Sequence, residues 1–527
     1  MLRSALHAGL AGVFGAAMGA SLAPADAWWF APFCLAGLFA LLPGAGHAQR
    51  FAFGLLFGLG WFGAGLWWVI PGIAASTGAG WPLAGLLGTS LLVYLALFPA
   101  AAAVAGGVLS QGRPGWLYAA ALAATWTLCD WARGHLFTGM PMLPAGLPHV
   151  GGPLAGFAPV AGVHGVGFAG ALCAALLARY GCAGAGKWRT ADSLVPLLAV
   201  LSILAAGHWL RGEAWTAPAG VAVTARLIQT DVAQEDKFDA RAEARIQRGY
   251  ALVAANSPAD LTAFPETALS VGWESMPAPW RQAWTSAAAG RVVLIGAPRA
   301  VKPVQGLIGD ASNSMLGIGG NQLQRYDKVH LVPLGELLPE HLAWLGRLMA
   351  VPLGALVPGA ASQTPLRVRG TRIGVAICYE NQFEDYLALQ SRSAGVLLVA
   401  SNLAWARGFA DAQHLQASRM RALETGRWLM QVSNGDGTAL VDPAGAIAAS
   451  LEKGPGILDV GVPAMTGTTP FARHGSAPVL ALCALLVAAA LAAPRLHRAL
   501  AAPRLHRALA APRVHSLPWR WSAGVRH

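Results

Sequence analysis

Three polar residues stand where short apolar runs end. In "DLTAFPETALS" the run "LTAF" leads through Pro265 to Glu266. In "QRYDKVHLVPLGELLP" a strand-like start leads to Lys328, with Glu336 further on. In "RIGVAICYENQFED" the run "IGVAI" ends at Cys378, followed by Tyr379 and Glu380. A carboxylate, an ammonium and a thiol are the parts that nucleophilic acyl chemistry needs. A thiol at its ordinary pKa is mostly protonated, so it needs a base or a cation beside it. Glu266 can take the proton, provided partial burial raises its own pKa. Lys328 can favour the thiolate and then donate to the oxyanion of a tetrahedral intermediate. Each residue alone has a plainer explanation: a loop carboxylate, a solvated charge, its salt-bridge partner in Glu336, a buried inert cysteine closing a strand. What singles them out is the order Glu, Lys, Cys, each in its own strand-and-turn context.

The elements that position them are legible in outline. Proline fixes its own backbone and pushes Phe264 toward extended geometry, which holds Glu266 just past a strand end. Residues at the carboxyl ends of strands in an α/β sheet converge in one crevice. Residues 221–464 carry alternating strand and helix patterns with ordinary charge and no spanning run. Elsewhere the chain avoids charge. It is 55% hydrophobic and only 12% charged, and its 64 glycines and 34 prolines sit largely inside apolar segments, as membrane helices tolerate. Apolar runs at 6–23, 28–45, 52–73, 82–107, 116–132, 153–178 and 192–210 predict seven spans in residues 1–212, and 478–493 predicts an eighth. A basic tail, 494–527, repeats "APRLHRALA" and reads as a low-complexity segment at the membrane surface.

The net charge of +12 does not point to nucleic acid, because the excess of basic residues lies largely at the ends of apolar runs and in the tail. Arg3, Arg50, Arg113, Arg179, Lys187 and Arg189 fall on the same side as the tail, while "APADAW" and "ASTGAGW" carry no Lys or Arg. That bias puts both termini in the cytoplasm and the charged domain outside, in the periplasm of a bacterium. The N-terminal stretch ending in "ADA" also fits a cleaved signal, which would leave the other orientations unchanged. Of the six cysteines, Cys378 alone falls in the outward domain, in a compartment that oxidises thiols, and an unpaired cysteine there suggests a reactive one.

"FPETA", "YDKVHLVPLGELLP" and "GVAICYE" resemble the Glu–Lys–Cys motifs of the nitrilase (carbon–nitrogen hydrolase) superfamily. With the membrane frame, and with "FGLLFGLGWFGAGLWWV", "DWARGHLFTGMPMLPAG" and "SNLAWA", the chain resembles the apolipoprotein N-acyltransferase family from about residue 50 to 460. The resemblance implies a membrane α-helical bundle carrying a nitrilase-like α-β-β-α sandwich. It implies Glu266 as general base, Lys328 as oxyanion stabiliser and Cys378 as nucleophile. Glu336, Tyr379 and Glu380 would support the site, and Trp405, Phe238 and Arg133 would lie at the substrate entrance. It further implies a ping-pong transfer of an acyl chain from a phospholipid, preferably phosphatidylethanolamine, through a thioester to the N-terminal amine of a diacylglyceryl-modified apolipoprotein. No metal or soluble cofactor is implied, and the chain is expected to act as a monomer.

Some residues depart from the family pattern. Thr267 follows Glu266 where serine is usual, Phe238 stands at a usual tryptophan, Asp231 and Glu235 add charge, and Asn381 and Gln382 replace apolar residues. These changes are expected at the lid and entrance. Arg133, at an outward helix end, is expected to snorkel to the interface, and Trp67 and Trp68 to sit in an interfacial belt. His330 is expected to be structural, having no second histidine at ligand spacing. Two other functions use the same residues: a membrane-tethered amide hydrolase with water as acceptor, and a non-catalytic assembly component that keeps the domain as a docking surface.

Overall fold

The computed structural model describes residues 2–77, 80–113, 115–181, 191–233, 236–302, 310–320, 322–333, 335–337, 340, 356–406 and 408–501. The expected tail beyond 501, Cys182, Lys187 and Arg189 lie outside them.

Every apolar run is helical. The N-terminal helices are α1 (Leu2–Ala20), α2 (Ala31–Leu41), α3 (His47–Gly65), α4 (Val69–Thr77), α5 (Trp81–Leu109), α6 (Gly115–Arg133), α7 (Ala158–Gly181) and α8 (Ala191–Leu210). Not every run is a straight span, however. Among the described residues, two helices, Trp81–Leu109 and Pro153–Arg179, are long and apolar enough to cross a membrane, or three if a bent pair counts as one. The pair is α3 and α4, which meet at 53°, so the run 52–73 is broken between Gly65 and Val69. The helix α2 has 11 residues, a rise of roughly 16 Å against a hydrocarbon core of about 30 Å. Hydropathy along the chain registers apolar length but not such breaks. Close helix contact comes from small residues: a Cβ on Gly54 would lie 2.5 Å from the Pro99 carbonyl oxygen, and one on Gly58 2.7 Å from Ala96 Cα.

The chain then forms β1 (Thr216–Pro218), β2 (Val223–Gln229), α9 (Ala240–Ala255), β3 (Leu261–Ala263), α10 (Ala278–Ala287), β4 (Val292–Ala300), β5 (Ala311–Ile318), β6 (Gln324–Asp327), β7 (Leu366–Val368) and β8 (Thr371–Ile377). It continues through α11 (Glu384–Ser391), β9 (Val396–Asn402), α12 (Ala410–Thr425), β10 (Trp428–Asn434), β11 (Ala439–Val441), β12 (Ile447–Ser450), β13 (Gly456–Val462), β14 (Met465–Gly467), α13 (Pro470–His474) and α14 (Ala477–Ala501).

Two six-stranded sheets result, ordered β13-β2-β3-β4-β5-β6 and β12-β11-β10-β9-β8-β7. Parallel pairing holds their centres, β2–β3–β4 and β8–β9–β10. The central strand β9, "VLLVASN", is buried at every residue, as a sheet covered on both faces requires. The edge strand β13 alternates exposed and half-buried residues. Leu227, Ala263 and Leu294 of one sheet share a core with Val375, Leu398 and Val432 of the other. Trp284 and Ala254 of α10 and α9 pack with Ile228 and Ile295 on the first sheet's outer side. The domain is the expected α-β-β-α sandwich. A parallel bridge between Thr230 and Asn434 links the sheets at one end.

The bundle and the sandwich share one apolar core, since Ala410, Ala417, Met420 and Leu423 of α12 pack among residues of α2, α3 and α7. The expected interfacial role of Trp68 does not hold. It is buried at this seam, and its indole N–H donates to Gln413 at 3.1 Å. Trp67 stays half exposed.

Candidate active site

The strand ends converge. Glu266 follows β3, Lys328 follows β6 and Cys378 follows β8. The Lys328 ammonium donates to Glu266 Oε1 at 3.1 Å and to Glu336 Oε1 at 2.9 Å. The Glu266 charge also reaches the Cys378 thiol and raises its pKa. The Asn313 amide bridges both carboxylates, 2.6 Å from Glu266 Oε1 and 3.1 Å from Glu336 Oε1. Backbone donors complete the set: Asn402 N–H to Glu266 Oε2 at 2.8 Å and Val332 N–H to Glu336 Oε2 at 2.9 Å. An ammonium has three N–H bonds. Two are committed among the described residues, which leaves one for a developing oxyanion.

Both the carboxylate turn and the thiol turn need unusual backbone. Thr267 and Cys378 have φ of +50° and +51°, a region that costs L-residues energy and persists where the surroundings hold it. At Cys378 the holding is visible. The imidazole Nε2 of His414 lies 3.0 Å from the Cys378 carbonyl oxygen. Asn381 donates to Ser418 at 2.9 Å and to the His414 carbonyl at 3.0 Å. Asn381 and Gln382, expected at the lid and entrance, are instead buried, and the two bonds of the Asn381 amide account for a polar residue at that position.

Glu380 clamps the site together. It accepts from the Ile377 N–H at 2.7 Å, the Tyr326 hydroxyl at 2.7 Å, and the N–H groups of Val329 and His330 at 2.6 and 3.1 Å. The residue two after the thiol thus fixes the backbone that follows Lys328. Burial pushes its carboxyl up to about 7, and the four donors oppose that rise.

Charge is settled by neighbours as much as by burial. Burial works against ionised Glu266, but Lys328, Asn313 and the Asn402 N–H outweigh it and hold its pKa below the ordinary glutamate value. The expected upward shift does not occur, because the same lysine that serves the oxyanion also stabilises the base. Burial works against the Lys328 ammonium too, yet Glu266, Glu336 and Cys378 hold it well above the lysine range. Burial is the chief cause of a strongly raised Cys378 thiol, with Glu266 adding and Lys328 opposing. At rest the trio is therefore thiol, carboxylate and ammonium.

The remaining residues separate. The Tyr379 hydroxyl donates to the Gly139 carbonyl at 3.0 Å, so it anchors the site on the bundle. Trp405 meets Trp68 edge to face, with ring centroids 5.8 Å apart. Arg133 does not snorkel. It is 1% exposed, donates to Asp130 and to the carbonyls of Met140 and Met142, and lies 5.1 Å from the Phe62 ring centroid. Phe238 closes a 3-10 turn, Asp236–Phe238, and its side chain lies outside the description. His330 stacks on Phe383 with ring centroids 4.0 Å apart. Among the described residues no group of three or more His, Cys, Asp or Glu is placed to hold a metal ion.

Sequence reading missed Asn313, Asn402, His414 and Gly296. A Cβ on Gly296 would lie 2.6 Å from Glu266 Cα and 2.5 Å from Thr267 N. Asn313 and Gly296 act through strand register, which no motif marks; Asn402 lies in "SNLAWA" with nothing local to show its bond to Glu266, and His414 acts from α12.

Comparison with known proteins covers most of the chain. The apolipoprotein N-acyltransferase N-terminal domain profile matches residues 14–176, and the carbon-nitrogen hydrolase profile matches residues 204–471. Apolipoprotein N-acyltransferase of Ralstonia nicotianae is 37% identical over 94% of this chain and 95% of its own length. Its counterparts in Bordetella bronchiseptica and Chromobacterium violaceum are 36% and 34% identical, covering 91% and 92% of this chain and 96% and 93% of theirs. A CN-hydrolase superfamily protein of Xanthomonas campestris is 17% identical, covering 51% of this chain and 96% of that one, with a TM-score of 0.35. On the matched profiles and the full-length relatives, this chain belongs to the apolipoprotein N-acyltransferase family.

Proposed function

We propose that this chain transfers a fatty acyl group from a phospholipid, through a thioester on Cys378, to the α-amine of a diacylglyceryl-modified N-terminal cysteine of an apolipoprotein. Supporting it is one observation: Lys328 joins Glu266 and Glu336 beside the Cys378 thiol, in a chain of this family. In the first step Cys378 sulfur attacks the ester carbonyl carbon while Glu266 takes the thiol proton. The free Lys328 N–H donates to the oxyanion. The ester C–O bond then breaks, and Glu266 returns the proton to the leaving alcohol. In the second step the amine attacks the thioester, Glu266 takes its proton, the C–S bond breaks and the thiol is restored. Splitting the transfer this way gives ping-pong kinetics.

Phosphatidylethanolamine is the donor we expect, and a monomer the working unit. Residues 1–212 and 478–493 form the part in the bacterial inner membrane, and 221–464 the catalytic domain. That domain lies in the periplasm, with both termini and the tail 494–527 in the cytoplasm, on the charge bias of the loops.

The test is mass spectrometry of the purified chain with phospholipid, then with a diacylated lipopeptide. A fatty-acyl adduct on Cys378, absent in Cys378→Ala and discharged as lipopeptide amide, supports the reading. Free fatty acid in place of amide would make the chain a hydrolase. Reporter fusions after each apolar run test the orientation.

A further inference from the structure

The break between α3 and α4 frees a carbonyl from the helical ladder. In an unbroken helix the Gly65 carbonyl would accept from the Val69 N–H, four residues on. Here the Val69 N–H donates to the Leu66 carbonyl at 3.0 Å instead. Gly65 is buried, and buried carbonyls are normally paired. The partner comes from the sandwich. Gln413 of α12 is 3% exposed, and its Nε2 donates to the Gly65 carbonyl oxygen at 2.9 Å. Its Oε1 accepts from the Trp68 indole N–H at 3.1 Å. One side-chain amide thus holds both sides of the 53° break.

Both ends of that clamp lead to the candidate catalytic residues. The next residue along α12 is His414, whose Nε2 lies 3.0 Å from the Cys378 carbonyl oxygen. On the other side, Trp68 meets Trp405 edge to face, with ring centroids 5.8 Å apart. Trp405 also covers Gly72 of α4, where a Cβ would lie 3.0 Å from its ring. In "SNLAW" Trp405 closes the stretch that holds Asn402, and the Asn402 N–H donates to Glu266 Oε2 at 2.8 Å. The nucleophile is one residue from the clamp, and the base is reached through one ring contact and a short loop. A glutamine that only satisfied a stray carbonyl would need neither neighbour.

We propose that Gln413 is a positioning residue for acyl transfer: by clamping the α3–α4 break it fixes Cys378 through His414, and Glu266 through Trp68, Trp405 and Asn402. The inference rests on the transferase reading above and adds to it a residue that touches neither substrate. The reason is mechanical. A carbonyl and an indole N–H left unpaired in an apolar seam cost free energy, so without the amide the break relaxes toward other partners. Helix α4 then shifts against Trp405, and α12 loses its tie at the residue before His414. A misplacement of about 1 Å can cost a reacting group about 100-fold in rate. A smaller one slows the chemical step and leaves phospholipid binding as it was.

The experiment follows acylation of Cys378 in the full chain by mass spectrometry, over a range of phospholipid concentrations in detergent. Gln413→Met keeps the side-chain length and removes both bonds. Its rate at saturating phospholipid is expected to fall about tenfold, with the half-saturating concentration unchanged. Trp68→Phe keeps a ring against Trp405 and removes only the indole N–H, for an expected loss of about threefold. The double variant should match Gln413→Met, because the shared bond is already gone. A wild-type saturating rate in Gln413→Met, even at a lower melting temperature, would make the clamp structural only and overturn the inference. So would a loss confined to the half-saturating concentration, or single losses that multiply to about thirtyfold in the double variant. If Gln413→Met does not fold, Trp68→Phe decides: the threefold loss supports the inference and a wild-type rate overturns it. A wild-type chain that takes no acyl group overturns the transferase reading and this inference together. A wild type that acylates, with variants that match its saturating rate, overturns the inference alone.

Discussion

The Tyr379 hydroxyl donates a 3.0 Å hydrogen bond to the carbonyl of Gly139, which joins the residue after the candidate nucleophile to the loop that follows helix α6. The Met140 sulfur lies 3.4 Å from the same hydroxyl. The thiol is therefore positioned from two sides, by the sandwich through Glu380 and by the bundle through Tyr379. Tyr379→Phe keeps the ring on Phe383 and removes only the polar contact. We expect a stability cost of about 1 kcal/mol and a roughly fivefold slower acylation. Single-turnover rates and a melting curve in detergent measure both, and a rate equal to wild type would count against anchoring from the bundle.

Arg133 holds the other end of that loop. Its guanidinium donates to the carbonyls of Met140 and Met142 at 2.6 and 2.7 Å and to Asp130 Oδ1 at 2.8 Å. Arg133→Met leaves the Asp130 carboxylate buried without its cation, a change that costs about 3–5 kcal/mol. Arg133→Lys keeps the charge but loses the fork that reaches two carbonyls and a carboxylate at once. Melting temperatures should fall in the order wild type, Lys, Met. An arginine that merely snorkelled would tolerate lysine without loss.

The parts of this molecule that were legible in the sequence are those with a local signature. Apolar runs marked the helices, and Glu266, Lys328 and Cys378 were each announced by a strand ending in a polar residue. What stayed hidden depends on contacts across the fold. Asn313 lies mid-strand in "ASNSM", and only the register of β5 turns its amide toward two carboxylates. Trp68 and Arg133 look interfacial by type, yet the packing of α12 buries the first and Asp130 the second. The pKa of Glu266 was misread because burial can be argued from a motif, whereas the lysine 62 residues along the chain that reverses it cannot. The break between α3 and α4 escaped because hydropathy does not register bends.

Gly296 tests whether the carboxylate turn is held from the neighbouring strand. A Cβ there would lie 2.5–2.6 Å from Thr267 N, Glu266 Cα and the Pro265 carbonyl oxygen, all backbone, so the turn must shift. Gly296→Ala should lose about tenfold or more in acylation rate, because the base must sit within hydrogen-bond reach of the thiol. Circular dichroism should show that the sandwich persists. Wild-type activity in this variant would mean that the turn has freedom the packing denies it.

The charge states predict the pH profile. Glu266 must be ionised to act as base, and its pKa lies below the ordinary value of 4.5. The acid limb of kcat/KM should therefore lie below pH 4.5, with a flat region through neutrality. The linked stability has the same sign. A depressed carboxylate contributes stability above its unfolded pKa and loses it as pH falls through the folded one, whereas the raised Lys328 contributes below its unfolded pKa and loses it only at high pH. An acid limb at about pH 6–7, the usual range of a base tuned upward, would show that burial and not Lys328 governs Glu266.

Removing Lys328 separates its structural work from its chemical work. In Lys328→Met the Glu266 and Glu336 carboxylates, both bonded to one ammonium at 3.1 and 2.9 Å, face each other with only Asn313 between them. The loss should be about 3–5 kcal/mol of stability, and the two carboxyls should share a proton, so that Glu266 titrates nearer neutrality. Adding Glu336→Gln removes one of the like charges and should restore part of the melting temperature. Acylation should not follow, because the oxyanion donor is still missing, and a loss of about 100- to 1000-fold should persist in the double variant. Recovery of stability without recovery of rate assigns the ammonium to the transition state; recovery of both would reduce Lys328 to a counter-ion for two buried acids.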